Sequence, residues 1–465
     1  MKIFNTMTKT KEKLKPANSN TVRIYACGPT VYNLFHIGNA RPLCVFDVLR
    51  RYLKYRGFDV KYVQNFTDVD DRIIRKALEQ GVSALEVSEN AIREYFTDAR
   101  GLNVIDADIH PKVTDNMDII IDIIKTLVDR GFAYEAGGDV YFEAGKFAEY
   151  GKLSKMPLDD LRAGASERVS ESELKRDPMD FALWKAAKEG ECFWESPFGN
   201  GRPGWHIECS AMVREYLGDT IDIHGGGSDL IFPHHENEIA QSEAATGKPL
   251  ANVWMHNEMI NVDSRKMAKS KGNFFLVRDV AENYGYEPIR FMLLAAHYRS
   301  KMNYTEEVIK SAQTSLERLY TCEDTIKRLL ETKAGDTICD AITDIIESHK
   351  ARFIEVMDDD LNTADALAVI FELTREINKI LQIPESTKAE ITALYALFKE
   401  LTGILGLLYS KKDDEIPAEI LELAQKRTEA RKDKNFALAD QIRDEILGRG
   451  FTVEETRQGI VIKKA

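Results

Sequence analysis

Hydrophobic positions in the first 130 residues alternate between short apolar runs and longer stretches with helical spacing. Residues 22–26 and 58–64 are apolar runs that predict strands. The segment between them carries four large apolar residues on one helical face: Leu43, Phe46, Leu49 and Leu53. Gly57 ends that pattern. A strand, a helix and a strand in this order are typical of a βαβ unit and predict a parallel sheet.

The same alternation returns further along the chain. Helices are predicted at 206–217 and 233–246, and strands at 220–223 and 252–255. Between the two halves, residues 131–205 contain one predicted strand, at 139–142, and polar, Gly- and Pro-rich stretches typical of an insertion. We therefore expect an α/β fold whose parallel sheet is built from residues 1–130 and 206–260 and is split by this insertion.

From residue 306 onward the apolar spacing is that of helices. Residues 312–330 and 342–357 have the 3.6-residue period, and Asn362 or Thr363 is expected to cap the next helix. After the polar stretch KKDDE at 411–415, the pattern predicts helices at 420–431 and 436–447 and a hairpin formed by 451–453 and 460–463. We expect a region at 261–305 that contains a polar loop, a helical bundle at 306–410 and a small mixed α/β module at 411–465.

Composition and charge narrow the class of protein. The formal net charge is −13 and 44% of residues are hydrophobic, with no apolar run near the ~18 residues of a membrane span. The N-terminal residues lack the apolar core of a secretory signal, so we expect a soluble, cytoplasmic chain. The negative net charge argues against a general nucleic-acid coat protein, whose affinity would come from many cationic contacts to phosphates. A local basic stretch remains, KRTEARKDK at 426–434, although such a run is also typical of a solvated helix face.

Metal-ligand residue types cluster in this chain. Cys27 follows the first predicted strand of the sheet, Cys209 lies in a predicted helix, and His234 and Glu238 are four residues apart on a predicted helical face. Two thiolates, an imidazole and a carboxylate suit Zn²⁺. Spacing alone leaves His224, His235 and Glu236 as competitors, and the cysteines could equally be plain core residues.

Two short strings suggest nucleotide chemistry. HIGN at 36–39 lies at a strand-to-helix junction, where helix N-terminal amides favour a phosphate. KMAKS at 266–270 lies on a polar loop after the second half of the sheet, and its lysines could stabilise a transferring phosphoryl group. The chain has neither a GxxxxGK[ST] phosphate loop nor an HExxH metalloprotease motif.

Taken together, HIGN and KMAKS resemble the HIGH and KMSKS signatures of class I aminoacyl-tRNA synthetases. Longer strings resemble the cysteinyl-tRNA synthetases in particular: CGPTVYNLFHIGNARP, NFTDVDDRII, GRPGWHIECSAM and DIHGGGSDLIFPHHENEIAQSEA. The resemblance continues through MDDDLNTADAL and NFALADQIRDEI, so it covers essentially the whole chain. It implies a Rossmann-like catalytic domain with a connective insertion, a tRNA-binding helical bundle and an anticodon-recognition module.

The resemblance also implies roles for individual residues. The zinc ligands are one set: Cys27, Cys209, His234 and Glu238. ATP binding and catalysis fall to a second set: His36, Gly38, Asn39, Asp229, Lys266 and Lys269. Thr67 and Trp205 are expected walls of the cysteine pocket. Five basic residues of the tail are expected to contact tRNA phosphates: Lys426, Arg427, Arg431, Lys432 and Lys434.

The implied activity is ATP-dependent activation of L-cysteine and its transfer to tRNA(Cys), in a monomer that holds one Zn²⁺ and uses Mg²⁺ with ATP. Zinc would select the thiolate of cysteine over the hydroxyl of serine. Two positions depart from the family signatures, Asn39 in place of a second histidine and Ala268 in place of a serine. The alternatives are a cysteine–amino-sugar ligase with the same adenylate chemistry and a non-catalytic zinc-stabilised nucleic-acid-binding protein.

Overall fold

The computed structural model describes residues 1–16, 20–156, 174–262, 265–266, 275–410, 417–456 and 459–464. The chain divides into two compact units, Met1–Tyr409 and Ser410–Ala465. No helix within the described ranges is long and apolar enough to cross a membrane.

The described part of the first unit contains strands β1 to β13 and helices α1 to α12. The strands are β1 Lys2–Asn5, β2 Thr10–Lys13, β3 Thr21–Ala26, β4 Asp59–Gln64, β5 Ala133–Ala136, β6 Asp139–Phe142, β7 Phe181–Ala186, β8 Gly201–Pro203, β9 Ile221–Gly227, β10 Ala251–Asn257, β11 Ile260–Val262, β12 Arg265–Lys266 and β13 Met302–Tyr304. The helices are α1 Ile37–Tyr55, α2 Asp71–Gln80, α3 Ala84–Gly101, α4 Met117–Asp129, α5 Trp205–Leu217, α6 Glu236–Thr246, α7 Val277–Tyr284, α8 Tyr286–Leu294, α9 Glu306–Thr332, α10 Asp340–Asp358, α11 Thr363–Ile380 and α12 Lys388–Ile404.

A four-stranded parallel sheet in the order β10-β9-β3-β4 forms the centre of the first unit. The expected α/β class and parallel pairing are confirmed. Ile24 of β3 pairs with Tyr62 of β4 on one side and with Ile223 of β9 on the other. Both faces of the sheet are covered, one by α1 and the helical bundle and the other by α4, α5 and α6. Since all four strands run the same way, their carboxyl ends meet at one edge.

The segment between the two halves of the sheet forms its own antiparallel sheet, ordered β5-β6-β7-β8. The strand predicted at 139–142 is β6, with the same bounds. The other three strands were not predicted: β5 (AYEA) and β8 (GRP) are short and offer few apolar positions, whereas β7 (FALWKA) is an apolar run that was overlooked. Residues 157–173 of this segment lie outside the described ranges.

One predicted helix boundary was wrong. The helix expected from residue 233 begins at Glu236, and His234 precedes it in the irregular turn Ile231–His235. Phe232 has extended backbone angles (φ −140°, ψ 132°), the conformation that a following proline favours. His234 and Glu238 therefore belong to a turn and a helix rather than to one helix, although they still approach each other.

A buried ion pair ties the sheet to the helical bundle. Asp47 of α1 accepts a hydrogen bond from Arg290 of α8 at 2.5 Å, and both side chains are fully buried. Arg290 also donates to the carbonyl of Leu405 at 2.8 Å, just after α12. Asp47 accepts further bonds from the Arg51 side chain and the Ile105 backbone. These contacts hold α1, α8 and the end of α12 in one arrangement.

The second unit contains α13 Ala418–Lys432, α14 Phe436–Gly448, β14 Phe451–Thr456 and β15 Gly459–Lys464. The two strands pair antiparallel, as the hairpin expected after Gly450 requires. Ile420, Ile442, Ile446 and Phe451 form a small core of their own. The predicted pair of helices followed by a hairpin is confirmed.

Replacing Asp47 with Ala is expected to destabilise the first unit by about 3–5 kcal/mol, because Arg290 would keep a buried charge without its partner. The measurement is urea unfolding followed by tryptophan fluorescence, since all four tryptophans lie in the first unit. Lys310→Ala is the control: its pair with Glu306 is more than half exposed, and removing it should change the unfolding free energy by less than about 1 kcal/mol. Equal effects of the two substitutions would contradict the assigned role of the buried pair.

Candidate metal centre and active-site cavity

Four predicted ligand side chains converge at the carboxyl edge of the parallel sheet. Cys27 directly follows β3, Cys209 lies in α5, His234 lies in the turn before α6, and Glu238 lies in the first turn of α6. One donor atom from each lies within 4.8 Å of the others. Three of the four side chains are buried, and Cys27 is partly buried.

The separations between these donor atoms suit a small tetrahedral ion. Bonds of about 2.3 Å to sulfur and about 2.0 Å to nitrogen would place neighbouring tetrahedral donors roughly 3.3–3.8 Å apart. The two thiol sulfurs are 3.7 Å apart, the Cys209 Sγ is 3.6 Å from the His234 Nε2, and the Cys27 Sγ is 3.4 Å from the Glu238 Oε1. The residues present therefore fit a thiolate-binding metal such as zinc.

A second combination of donors shares part of this cluster. Cys27 and Glu238 also lie within 4.8 Å of donor atoms on His224 and His235. In that arrangement the Nε2 of His224 is already 2.7 Å from the Glu238 Oε2, a direct hydrogen-bond distance. The first combination uses both thiols and leaves His224 free to orient the carboxylate, so it is the chemically better zinc site.

Histidines surround the four candidate ligands: one contacts the ring nitrogen of His234 that faces away from the cluster, and another contacts the Cys27 sulfur itself. The Nδ1 of His206 lies 2.9 Å from the Nδ1 of His234. The Nε2 of His235 lies 3.3 Å from the Cys27 Sγ, and its Nδ1 lies 2.7 Å from the Nε2 of His256. Such partners fix the ring orientation and tautomer of a ligand, which makes the donor set rigid before any ion binds.

The charge states of the cluster follow from burial and mutual contact. The hydrogen bond from Cys27 lowers the pKa of Cys209 to about 6, whereas burial raises the pKa of Cys27 well above its usual range. Burial opposes the charge on Glu238, yet His224 and His234 hold its pKa well below the usual range. Burial also opposes a charge on His234, but Glu238 and Cys209 raise its pKa to about 10. The cluster thus holds negative charge that protons balance, and a divalent cation would displace those protons.

The loop that carries Cys27 is held against the end of β4. The backbone N–H of Gly28 donates to the Asn65 Oδ1 at 2.9 Å. A Cβ on Gly28 would lie 1.6 Å from the Asn65 carbonyl oxygen, so only glycine allows this approach.

Thr67 donates to the buried Glu208 at 2.7 Å, and burial raises the pKa of Glu208 well above its usual range.

A cavity of about 340 Å³ opens beside this cluster. Six residues predicted for the site line it: Cys27, His36, Gly38, Asn39, Trp205 and Asp229. Thr67 is 1% exposed and is not among the lining residues, so its direct contact with a substrate stays a prediction. The ring of Trp205 lies over His234, with centroids 4.1 Å apart, and the side chain is 37% exposed.

His36, which also lines this cavity, is the N-cap residue of α1. The Asn39 Oδ1 accepts a hydrogen bond from the His36 backbone at 3.3 Å, so Asn39 supports the turn in which it lies. The N–H of Ile37 donates to the carbonyl of Phe275 at 3.1 Å, and the N–H of Val277 donates to the carbonyl of Phe35 at 3.1 Å. The segment that follows KMAKS is therefore hydrogen-bonded to the HIGN turn.

Some predicted residues cannot be placed in the site. Lys269 and Ala268 lie outside the described residues, and Lys266 is described only as part of β12. In the second unit, four of the five predicted basic residues are exposed: Lys426, Arg431, Lys432 and Lys434. Arg427 is buried, at 6% exposure, so its side chain is poorly available to a phosphate.

Sequence reasoning missed several residues that the fold brings to the site. Arg72, Gln64 and Tyr95 line the cavity although none was singled out. The Tyr95 hydroxyl donates to the Gln64 Oε1 at 2.5 Å, which joins α3 to the end of β4. Arg72 lies in the stretch NFTDVDDRII, which as a whole resembles the family, but nothing in the sequence distinguishes this arginine from its polar neighbours.

Comparison with known families and relatives gives a consistent result. A family described as tRNA synthetases class I (C) catalytic domain matches residues 13–314, and the DALR domain family matches residues 352–409. Cysteine–tRNA ligase of Clostridioides difficile is 52% identical over 469 residues, covering 100% of both chains. The cysteine–tRNA ligase of Caldicellulosiruptor saccharolyticus is also 52% identical, over 467 residues and 100% of both chains.

Solved structures of lower identity share the fold. Methionyl-tRNA synthetase of Mycobacterium tuberculosis, in complex with methionyl-adenylate, aligns with a TM-score of 0.61 at 14% identity, covering 83% of this chain and 90% of that one. A leucyl-tRNA synthetase ternary complex from Agrobacterium radiobacter aligns with a TM-score of 0.61 at 11% identity, covering 84% of this chain and 86% of that one. At these identities the similarities show the shared fold alone.

The two donor combinations can be separated by counting thiolates. With Co²⁺ as a spectroscopic probe, the wild-type protein should show a sulfur-to-cobalt charge-transfer band from two thiolates, and Cys209→Ser should lose roughly half of it. His224→Ala should keep the full band, while Cys339→Ser, at an exposed cysteine, is the matched control. A Cys209→Ser protein with an unchanged band would favour the combination that contains His224 and His235.

Proposed function

The chain belongs to the cysteine–tRNA ligases of the class I aminoacyl-tRNA synthetase family, and from this we propose how it works. It activates L-cysteine with ATP to cysteinyl-adenylate, releasing pyrophosphate, and transfers the cysteinyl group to tRNA(Cys). One Zn²⁺ per chain selects cysteine over serine, and Mg²⁺ accompanies ATP. The single observation that carries this proposal is that one cavity is lined both by Cys27, a member of the four-residue donor cluster, and by His36, Gly38 and Asn39 of the HIGN turn.

The selection of cysteine is proposed to reside in the donor cluster. Cys27, Cys209, His234 and Glu238 would hold the zinc ion, which supplies a site where a soft thiolate binds far better than a neutral hydroxyl. Pocket size alone separates such close analogues by only about 10–200-fold. Trp205 is exposed at the cavity wall beside His234 and would cover the bound amino acid. Thr67 would act from behind this wall, through its bond with Glu208.

ATP is proposed to bind in the part of the cavity lined by the HIGN turn. The N-terminus of α1 there supplies the positive end of the helix dipole, which suits a phosphate. His36 and Asn39 would contact ATP there, and Gly38 would allow a close approach. Asp229, on the facing loop after β9, would accept hydrogen bonds from the ribose hydroxyls.

Lys266 and Lys269 are proposed to stabilise the negative charge that develops when the cysteine carboxylate attacks the α-phosphate. This assignment is supported by the hydrogen bonds between the HIGN turn and Phe275–Val277, because the KMAKS string ends only four residues before that segment. The departures at Asn39 and Ala268 remove neither a lysine nor a metal ligand. Catalysis then depends mostly on positioning and electrostatic stabilisation.

The helical and C-terminal parts are proposed to bind tRNA. The bundle would span residues 306–410, next to the KMAKS and stem-contact region at 261–305, and the module at 411–465 would recognise the anticodon. The match of the DALR family supports the first assignment. Lys426, Arg431, Lys432 and Lys434 are the exposed candidates for phosphate contacts. A cysteine–amino-sugar ligase would need neither part, so the tRNA reaction is preferred.

The direct test is charging of total tRNA with labelled cysteine, run beside labelled serine. We expect ester formation with cysteine and a rate with serine at least about 10³-fold lower, beyond what pocket size supplies. Adenylate formation without charging of tRNA would shift the function to a small-molecule cysteine ligase. Comparable charging with serine would contradict selection by a thiolate-binding metal, even if the enzyme were active.

Removal of the metal is expected to abolish activation of cysteine reversibly. After chelation, cysteine-dependent ATP–pyrophosphate exchange should fall by at least about 100-fold and should return when Zn²⁺ is restored. The Cys209→Ser protein should not be rescued by Zn²⁺, whereas Cys339→Ser should behave as the wild type. Circular dichroism of each sample shows whether the fold is retained. Full exchange activity in a protein with no bound metal would contradict the proposal.

A further inference from the structure

Arg72 places a permanent positive charge in the wall of the active-site cavity. Among the described residues that line this cavity, it is the only lysine or arginine. It lies in the first turn of α2, near the carboxyl end of β4, and its side chain is 45% exposed. The charge therefore lies where a reactant can reach it, and it has no role in the function proposed above.

The guanidinium is held in a defined position. Its Nε donates to the Asp70 Oδ1 at 2.9 Å, and its Nη2 donates to the Thr30 Oγ1 at 3.0 Å. Its central carbon lies 5.5 Å from the centre of the Tyr32 ring and 6.0 Å from the Trp205 ring. Thr30 belongs to the loop that carries Cys27, and Trp205 lies over His234, so Arg72 stands at the metal-centre end of the cavity.

The chemistry of the three reactants indicates which one meets this charge. ATP phosphates are proposed to bind at the HIGN turn, and the carboxylate of cysteine must point toward them in order to attack. The thiol of cysteine points to the donor cluster, and its ammonium group would be repelled by a guanidinium. What remains is the tRNA, whose unpaired 3′ end carries a negative charge on every phosphate and must enter this cavity.

The surroundings of Arg72 also suit an unpaired nucleic-acid strand. Proteins bind single strands by combining cationic contacts to the backbone with exposed aromatic faces on which bases stack. Arg72 supplies the cation, and the partly exposed Trp205 supplies an aromatic face beside it. The hydrogen bonds to Asp70 and Thr30 use only some of the five N–H donors of a guanidinium, so others remain for a phosphate.

From these observations we infer that Arg72 binds a backbone phosphate of the unpaired 3′ end of the tRNA. This contact serves transfer of the cysteinyl group and takes no part in its activation. The inference rests on the proposed function, because it requires that the chain charge tRNA.

The test compares the two half-reactions in Arg72→Ala and Arg72→Lys proteins. For Arg72→Ala we expect the KM for tRNA in charging to rise about tenfold, while cysteine-dependent ATP–pyrophosphate exchange stays within about twofold of wild type. Arg72→Lys should recover most of the loss, since an ammonium still binds phosphate as a point charge. Arg75→Ala is the matched control, because it removes the same charge one turn further along α2, at an exposed position outside the cavity lining.

Two further readouts exclude a merely structural effect. The slope of log affinity against log salt concentration should become shallower by about 0.7 in Arg72→Ala, the value for one single-strand phosphate contact. Wild-type protein should bind intact tRNA more tightly than tRNA shortened by its three terminal nucleotides, and Arg72→Ala should lose about tenfold of that difference.

The outcomes separate this inference from the function on which it rests. A wild-type protein that never charges tRNA would contradict the proposed function itself. Wild-type charging with an unchanged KM for tRNA in Arg72→Ala would overturn only the role of Arg72. An equal loss of exchange and charging would also overturn it, because Arg72 would then act on cysteine or ATP.

Discussion

The buried carboxylate of Glu238 is the constraint around which the candidate site is organised. Its side chain is completely buried, and an isolated carboxylate at such a position would cost several kcal/mol. Its Oε2 lies 2.7 Å from the His224 Nε2, and its Oε1 lies 3.0 Å from the His234 Nε2 and accepts from the Cys27 thiol at 3.4 Å. The buried negative charge is stable only when His224, His234 and Cys27 all contact it. The end of β3, strand β9 and the turn before α6 must therefore keep their relative positions.

Rigidity of the cluster extends well beyond the four donor residues. A chain of hydrogen-bonding atoms runs from Cys27 through His235 and His256 to the hydroxyl of Thr6, just after the first strand. Burial lowers the pKa of His256 to about 3, so this ring is neutral and can both donate and accept. Selecting a thiolate over a hydroxyl requires donors whose positions do not adapt to the wrong substrate. Thr6 and the N-terminal residues therefore help to hold the candidate donor set in place, although they lie outside the cavity lining.

Local patterns in the sequence predicted many of the helices and strands. The composition of the candidate site depends instead on contacts between residues far apart in the chain. Helix α14 and strand β6 could be found because their apolar residues follow a clear period. The β1–β2 hairpin was missed because its second strand, TKEK, has no apolar residue. The choice among neighbouring histidines could not be made from spacing, since His224 joins the cluster only through the pairing of β9 with β3. Asp47 and Arg290 are likewise 243 positions apart, and no local pattern links them.

Electrostatics explains why a cation in the wall of the cavity matters for binding a nucleic acid. A chain with a net charge of −13 repels a polyanionic RNA at long range, so affinity must come from local positive charge at the points of contact. Asp229 and Arg72 are the only Asp, Glu, Lys or Arg side chains among the described residues that line the cavity, so this guanidinium meets no competing lysine or arginine there. Hydrogen bonds to Asp70 and Thr30 fix the position of that guanidinium, while the ion pair with Asp70 offsets part of its charge. A single well-positioned arginine can therefore guide a flexible strand toward the reacting carbonyl without strengthening nonspecific binding elsewhere.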